Sequence, residues 1–166
     1  MKETAEALAG ILEKQIRNYA ELKRLALEKR SALSAHDLRK LAKATADIQT
    51  VTASNYALEE ERSDLASQLA AEVGLGEENP TLSQIAGRID SPLRERLHFL
   101  KDQAAAAIRD VQHQNRMNTE MLKYCANLMD SAVKGLLEPK LKQNTYGSTG
   151  TANRDVASAV LLDHHI

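Results

Sequence analysis

From Ser91-Pro92 to Val133 the chain runs for more than forty residues without a glycine or a further proline, and apolar residues recur through it at helical spacing. Leu93, Leu97, Leu100, Ala104, Ala107, Val111, Gln114, Asn118, Met121, Cys125, Leu128 and Ala132 alternate four and three residues apart, the spacing of a coiled-coil seam. One helix of that length spans roughly 60 Å at about 1.5 Å per residue. A chain of 166 residues cannot wrap a rod of that length into a sphere, so helices laid side by side are the expected solution. Ten of the twelve seam positions are apolar; the exceptions, Gln114 and Asn118, lie one turn apart. Such a polar pair weakens the seam locally and fixes its register.

Two further periodic segments precede this one. The first runs from about Thr4, a candidate cap, to Leu33, with Leu8, Leu12, Tyr19, Leu22, Ala26 and Leu33 on one stripe and Gln15 and Lys29 between them. Gly10 costs about 1 kcal/mol against alanine, which predicts fraying of the first turns. After Ser34-Ala35-His36, Asp37 can cap a second helix from Leu38 to about Val73, ended by Gly74-Leu75-Gly76. So short a corner predicts an antiparallel hairpin. The second helix carries Leu41, Ile48, Val51, Leu58, Leu65 and Leu69, but its middle, residues 45–55, is rich in small and polar residues that supply little burial. Thr81 and Gln84 have capping-box spacing, predicting a short helix from Leu82 to about Ile89; Pro92 then takes a first-turn position in the long third helix.

The expected fold is all-α: an elongated antiparallel bundle or coiled coil of three long helices, a short connecting helix and a flexible carboxyl-terminal tail. Domain organisation follows, with a helical bundle over residues 1–137 and a tail over 138–166. Glu138-Pro139 ends the long helix, and residues 144–151 have linker composition. Beyond them Val156, Ala159 and Val160 form a weak amphipathic face, too short to hold a helix unless it docks on something.

Composition narrows the function. Aromatic residues make up 3%, so burial rests on aliphatic side chains suited to helix seams rather than a large ligand pocket. With 22 Lys and Arg against 23 Asp and Glu, there is no cationic excess for a phosphate backbone, and nucleic acid is not an expected partner. No long apolar run suggests a signal sequence or membrane insertion, which predicts a cytoplasmic protein. The single cysteine, Cys125, lies on the seam and is read as a small buried apolar group.

Chemistry-bearing constellations are missing. The five histidines show no ligand spacing with Cys, Asp or Glu, so no metal is expected; His98 and His113 read as groups flanking the seam. Glu59-Glu60-Glu61 points in three directions round a helix and reads as a solvated face. Gly74-Leu75-Gly76 lacks the rest of a dinucleotide fingerprint, and the glycines at 147 and 150 are followed by no Lys-Ser or Lys-Thr. The chain is therefore read as neither an enzyme nor a cofactor carrier.

What remains is surface for another protein. The third helix is longer than either partner, so its stretch from about Met117 to Leu137 is expected to project. Met117, Met121, Leu122, Tyr124, Cys125, Leu128, Met129, Val133, Leu136 and Leu137 spread over more than one face there. Such a band suits helix-in-groove or coiled-coil binding, and methionines let it repack around different partners. Two readings stand from these residues alone: capture of a partner, or cover by self-association or by the chain's own tail. A self-associating coiled-coil scaffold or adaptor is the alternative function.

In order and spacing, the hairpin of residues 22–41 with its Ala32-Leu33 to Asp37-Leu38 corner, Pro92-Leu93-Arg94, the stretch from Gln114-Asn115-Arg116 to Leu122, and Tyr146-Gly147 together resemble the FlgN family of flagellar type III export chaperones. The resemblance implies a cytoplasmic, all-helical chaperone, working without ATP, that holds hook-associated junction proteins and releases them at the export apparatus. It implies client contacts along the end of the third helix, at Met121, Tyr124, Leu128, Met129, Val133 and Leu136, and in the tail at Val156 and Val160. It also implies that Tyr146 meets the export gate.

Overall fold

The computed structural model describes residues 1–75 and 80–137. Four α-helices and no strand occur among them: α1, Lys2–Ser34; α2, Leu38–Glu72; α3, Leu82–Ala86; and α4, Leu93–Leu137. The fold is all-α, built on three long helices. The expected linker and tail, with Tyr146, Val156 and Val160, lie outside the described residues. The chain divides into two units between Ala126 and Asn127, inside α4.

In the first unit α1 and α2 form the antiparallel hairpin. Thr4 Oγ1 donates to Glu72 at 2.8 Å, Gln15 to Glu59 at 3.0 Å and Asn18 to Ser54 at 3.2 Å, so residues rising along α1 meet residues falling along α2. The corner closes α1 with His36 in the left-handed region, φ 56°, while the Asp37 amide reaches back to the Ala32 carbonyl at 2.9 Å. Asp37 then caps α2 by accepting from the Lys40 amide at 3.0 Å. Its carboxyl is held below the usual range chiefly by that amide. At the far end of α2, Gly74 takes φ 73°, a position that disfavours any side chain.

α4 runs parallel to α1 within this unit. Arg96 pairs with Glu13 and Asp110 with Lys23, both at 2.6 Å, and Arg30 reaches Gln114 at 2.7 Å. α3 carries the expected capping box: the Gln84 amide donates to Thr81 Oγ1 at 3.3 Å, and the Thr81 amide to Gln84 Oε1 at 2.7 Å. It ends at Ala86, shorter than the periodicity predicts, because Gly87 follows and the chain turns through Arg88 and Ile89. Pro92 stands one residue ahead of α4 rather than in its first turn, with its carbonyl accepting from Arg96 at 3.2 Å.

The core gathers where four helices meet. Ala5, Leu8 and Leu12 of α1, Leu69 of α2, Ile85 of α3 and Leu97 of α4 are all buried against one another. Fully burying a leucine or isoleucine there contributes about 1.5 to 3 kcal/mol. This overturns the expected fraying: α1 is continuous through Gly10, and its first turns lie in the buried four-helix cluster. Tertiary burial outweighs the roughly 1 kcal/mol propensity cost. Nor does Thr4 cap the helix; Met1 precedes α1 and Thr4 turns to Glu72 instead. α2 is the weak partner, since only Ala44, Leu69 and Ala70 of its length are buried.

Candidate functional site

α1 is the spine of the first unit, because it buries residues on more than one side. Ile11 and Leu25, absent from the stripe read in the sequence, are as covered as Leu8 and Leu12. The missed signal is that a helix between two neighbours needs two stripes, and Ile11 and Leu25, both off the stripe of Leu8, Leu12 and Leu22, supply the second.

The polar pair on the seam of α4 has a partner that sequence spacing did not reveal. Arg30 donates through one guanidinium nitrogen to Gln114 Oε1 and through Nε to Asn118 Oδ1 at 3.2 Å. Asn118, 4% exposed, donates in turn to the Ala26 carbonyl at 2.8 Å. The layer is satisfied and sets the register of α4 on α1. It also lies close to the end of α1. Asn118 already lies beside Ala26 and Arg30, and α1 continues only to Ser34.

Along the seam Leu97, Leu100, Ala104 and Asn118 are buried, whereas Leu93, Ala107, Val111, Gln114, Met121 and Cys125 are half-buried. Cys125 was read as a buried apolar group; it is half-exposed, in the same class as Ala107, Val111 and Gln114 earlier on the seam. On the flanks of the same stretch Met117, Leu122 and Tyr124 are exposed, Tyr124 to 64%. In the second unit, the described turns of α4 expose Leu128 to 52%, Met129 to 71%, Val133 to 51% and Leu136 to 85%.

Charge avoids these side chains. Lys123 pairs with Glu120 at 3.4 Å, and Lys134 with Asp130 at 2.7 Å, each within its own stretch of helix. Of the six predicted contact positions on α4, five are exposed and Met121 is half-buried. The other three, Tyr146, Val156 and Val160, lie outside the described residues.

Elsewhere the first unit shows polar packing between α1 and α2. Gln15, 4% exposed, donates to Glu59, whose carboxylate also accepts from Arg62 at 2.9 Å. The Arg62 bond, then that of Gln15, holds the Glu59 carboxyl below its usual range against the opposing effect of burial. Burial pushes the Tyr19 hydroxyl upward, with the nearby Glu59 charge adding to it. A hollow of about 540 Å³ lies where α1 and α4 begin, walled by Met1, Ile89, Pro92 and Leu93. Arg96 on its rim is committed to Glu13. His98 is half-exposed and His113 exposed. Among the described residues, no group of three or more His, Cys, Asp or Glu side chains is placed to hold a metal ion. No described helix is long and apolar enough to cross a membrane.

No curated protein and no solved structure matches the chain. A family model described as FlgN protein does match, over residues 1–154, nearly the whole length. On that match, and with three long helices in place, the chain belongs to the FlgN family of flagellar export chaperones.

Proposed function

We propose that this chain is a cytoplasmic chaperone that masks the helical terminal segment of hook-associated junction proteins before their export. The observation that carries the reading is the run of exposed apolar side chains on α4, with Tyr124, Leu128, Met129 and Leu136 all more than half exposed. A client helix with an unburied stripe self-associates, and pairing with a matching stripe removes that surface from water at about 25 cal/mol per Å². Masking of this kind needs no covalent step, so the reading assigns no catalytic residue, cofactor or metal.

In this reading residues 1–137 are the helical body and residues 138–166 a separate binding tail. Met121, Tyr124, Leu128, Met129, Val133 and Leu136 contact the client, joined by Val156 and Val160, while Tyr146 meets the export apparatus. A tail that orders on its client loses about 1 to 2 kcal/mol of backbone entropy per residue, which keeps capture reversible.

The test is calorimetric titration of the purified full-length chain with the hook-filament junction proteins of the same flagellum. Leu128→Asp and removal of residues 138–166 are each expected to weaken binding about tenfold or more, with helix content of the body retained. Unchanged affinity in both variants overturns the reading. Sedimentation over a range of concentrations checks the scaffold alternative; a stable self-assembled oligomer that excludes the client favours it.

A further inference from the structure

The sulfur of this chain is unevenly placed. Met117, Met121, Cys125 and Met129 follow one another at intervals of four residues along α4, and Met1 alone stands apart. Four residues bring a side chain back to nearly the same face of a helix one turn on, so these groups form one slowly turning row. In the first unit Met117 is 46% exposed and Met121 and Cys125 are half-buried; in the second, Met129 is 71% exposed. The core holds none of this sulfur. The cluster that joins the four helices is built from leucine, isoleucine and alanine, and no methionine or cysteine is buried among the described residues.

A thioether is an apolar side chain that hydrogen peroxide turns polar. The sulfur lone pair takes one oxygen: the S–O bond forms as the O–O bond breaks, sulfur gives up two electrons, and the departing hydroxide collects the proton of the transferred oxygen and leaves as water. The sulfoxide oxygen that remains is a hydrogen-bond acceptor. Pressed on an apolar partner that offers no donor, it is desolvated without compensation. Lys123, the one cation between Met117 and Met129 in the sequence, is already paired with Glu120 along the helix.

We propose that Met117, Met121 and Met129 form a peroxide-sensitive modification site, whose oxidation to sulfoxide weakens capture of the client and whose reduction restores it. The proposal rests on the client-binding reading above, in which Met121 and Met129 touch the client, and adds the means of regulating that site. Placement separates this from damage. A sulfoxide inside a core disrupts packing and destabilises the chain, whereas here the buried cluster carries no sulfur, so oxidation alters the face and leaves the fold standing. Exposure sets the order of reaction: Met129 first, Met117 next and Met121 last.

Its test uses the full-length chain, treated with hydrogen peroxide and freed of it before titration with the same junction proteins. Peptide mass spectrometry reads the oxidation at each methionine, and circular dichroism with melting temperature reads the fold. The oxidised chain is expected to bind about tenfold more weakly than the untreated one with its melting temperature unchanged, and treatment with the two methionine sulfoxide reductases is expected to restore the affinity. A chain carrying Met117→Leu, Met121→Leu and Met129→Leu, compared with its own untreated form, is expected to lose less than about twofold although Met1, 53% exposed, is still oxidised. Cys125→Ala is expected to keep the full response, which assigns it to the methionines rather than the thiol. Undiminished capture with all three methionines oxidised overturns the proposal and leaves the client-binding reading standing. So does a loss that persists in the triple-leucine chain, that disappears with Cys125→Ala, or that comes with a fallen melting temperature. No capture by the untreated chain overturns both.

Discussion

Asn118 donates from its side-chain Nδ2 to the backbone carbonyl of Ala26 across 2.8 Å, in the buried seam between α4 and α1. With Arg30 completing the layer through Gln114 and the Asn118 carbonyl oxygen, two polar seam residues become a register pin. The pin sits where α1 nears its end, so it fixes how α4 is seated along α1 within the first unit.

Asn118→Ala is therefore expected to cost about 1 to 2 kcal/mol in urea unfolding, because it strips the Arg30 Nε of its acceptor inside a part-buried layer. Asn115→Ala, one turn earlier on an exposed position, is expected to change stability by less than about 0.5 kcal/mol. Equal effects at the two positions would remove the case for a pin.

The corner offers a gain instead. His36 holds φ 56° at the end of α1, in a conformation where a side chain is strained and glycine is not. His36→Gly is expected to stabilise the chain by about 1 kcal/mol, raising the melting temperature by a few degrees. Gly74→Ala, at φ 73° after α2, is expected to move stability the other way by about the same amount.

How much of this was legible in the sequence depended on the range of the interaction. The Asp37 cap and the Thr81 and Gln84 capping box involve groups three residues apart, and both are present as read. The three long helices follow from apolar periodicity, a local pattern. Arg30 was not legible as the partner of Asn118, because 88 residues separate them and only the packed register of two helices brings them together. The expected fraying at Gly10 failed for the same reason: propensity is local, whereas the cover over Leu8 and Leu12 comes from Leu69, Ile85 and Leu97. The exposed end of α4 was legible as an apolar band.

Acid is expected to loosen these cross-helix bonds. Hydrogen bonding to Arg96 holds the Glu13 carboxyl below its ordinary 4.5 and Lys23 holds Asp110 below its ordinary 3.8, while Glu59, which accepts from Gln15 across the hairpin, is held down first by Arg62 of its own helix. A folded pKa below the unfolded one means that the contribution is intact above the ordinary carboxylate range and is lost as pH falls through the folded value. The melting temperature should be flat from about pH 8 to about pH 5.5 and decline below about pH 4.5. Tyr19 acts at the opposite limit, since burial raises its pKa above the ordinary 10.0; its contribution is present below that value and is lost as pH rises beyond it. A melting temperature that rises on acidification below pH 4 would contradict this assignment.

Stability should be graded along the first unit. The buried cluster joins the start of α1, the end of α2, α3 and the start of α4, whereas Ala44 is the only buried residue in the first half of α2. Exposed backbone bonds and sparse apolar contacts let a segment open without unfolding the rest. Hydrogen exchange is expected to be slowest at the amides of residues 8–12 and 97–104 and faster over residues 38–50. Leu97→Ala, at a fully buried seam position, is expected to cost about 2 to 5 kcal/mol, and Leu58→Ala, half-buried on α2, less than about 1.5 kcal/mol. If the hairpin corner exchanged as slowly as the four-helix junction, α2 would owe its order to contacts beyond the three side chains it buries, and the graded picture would be wrong.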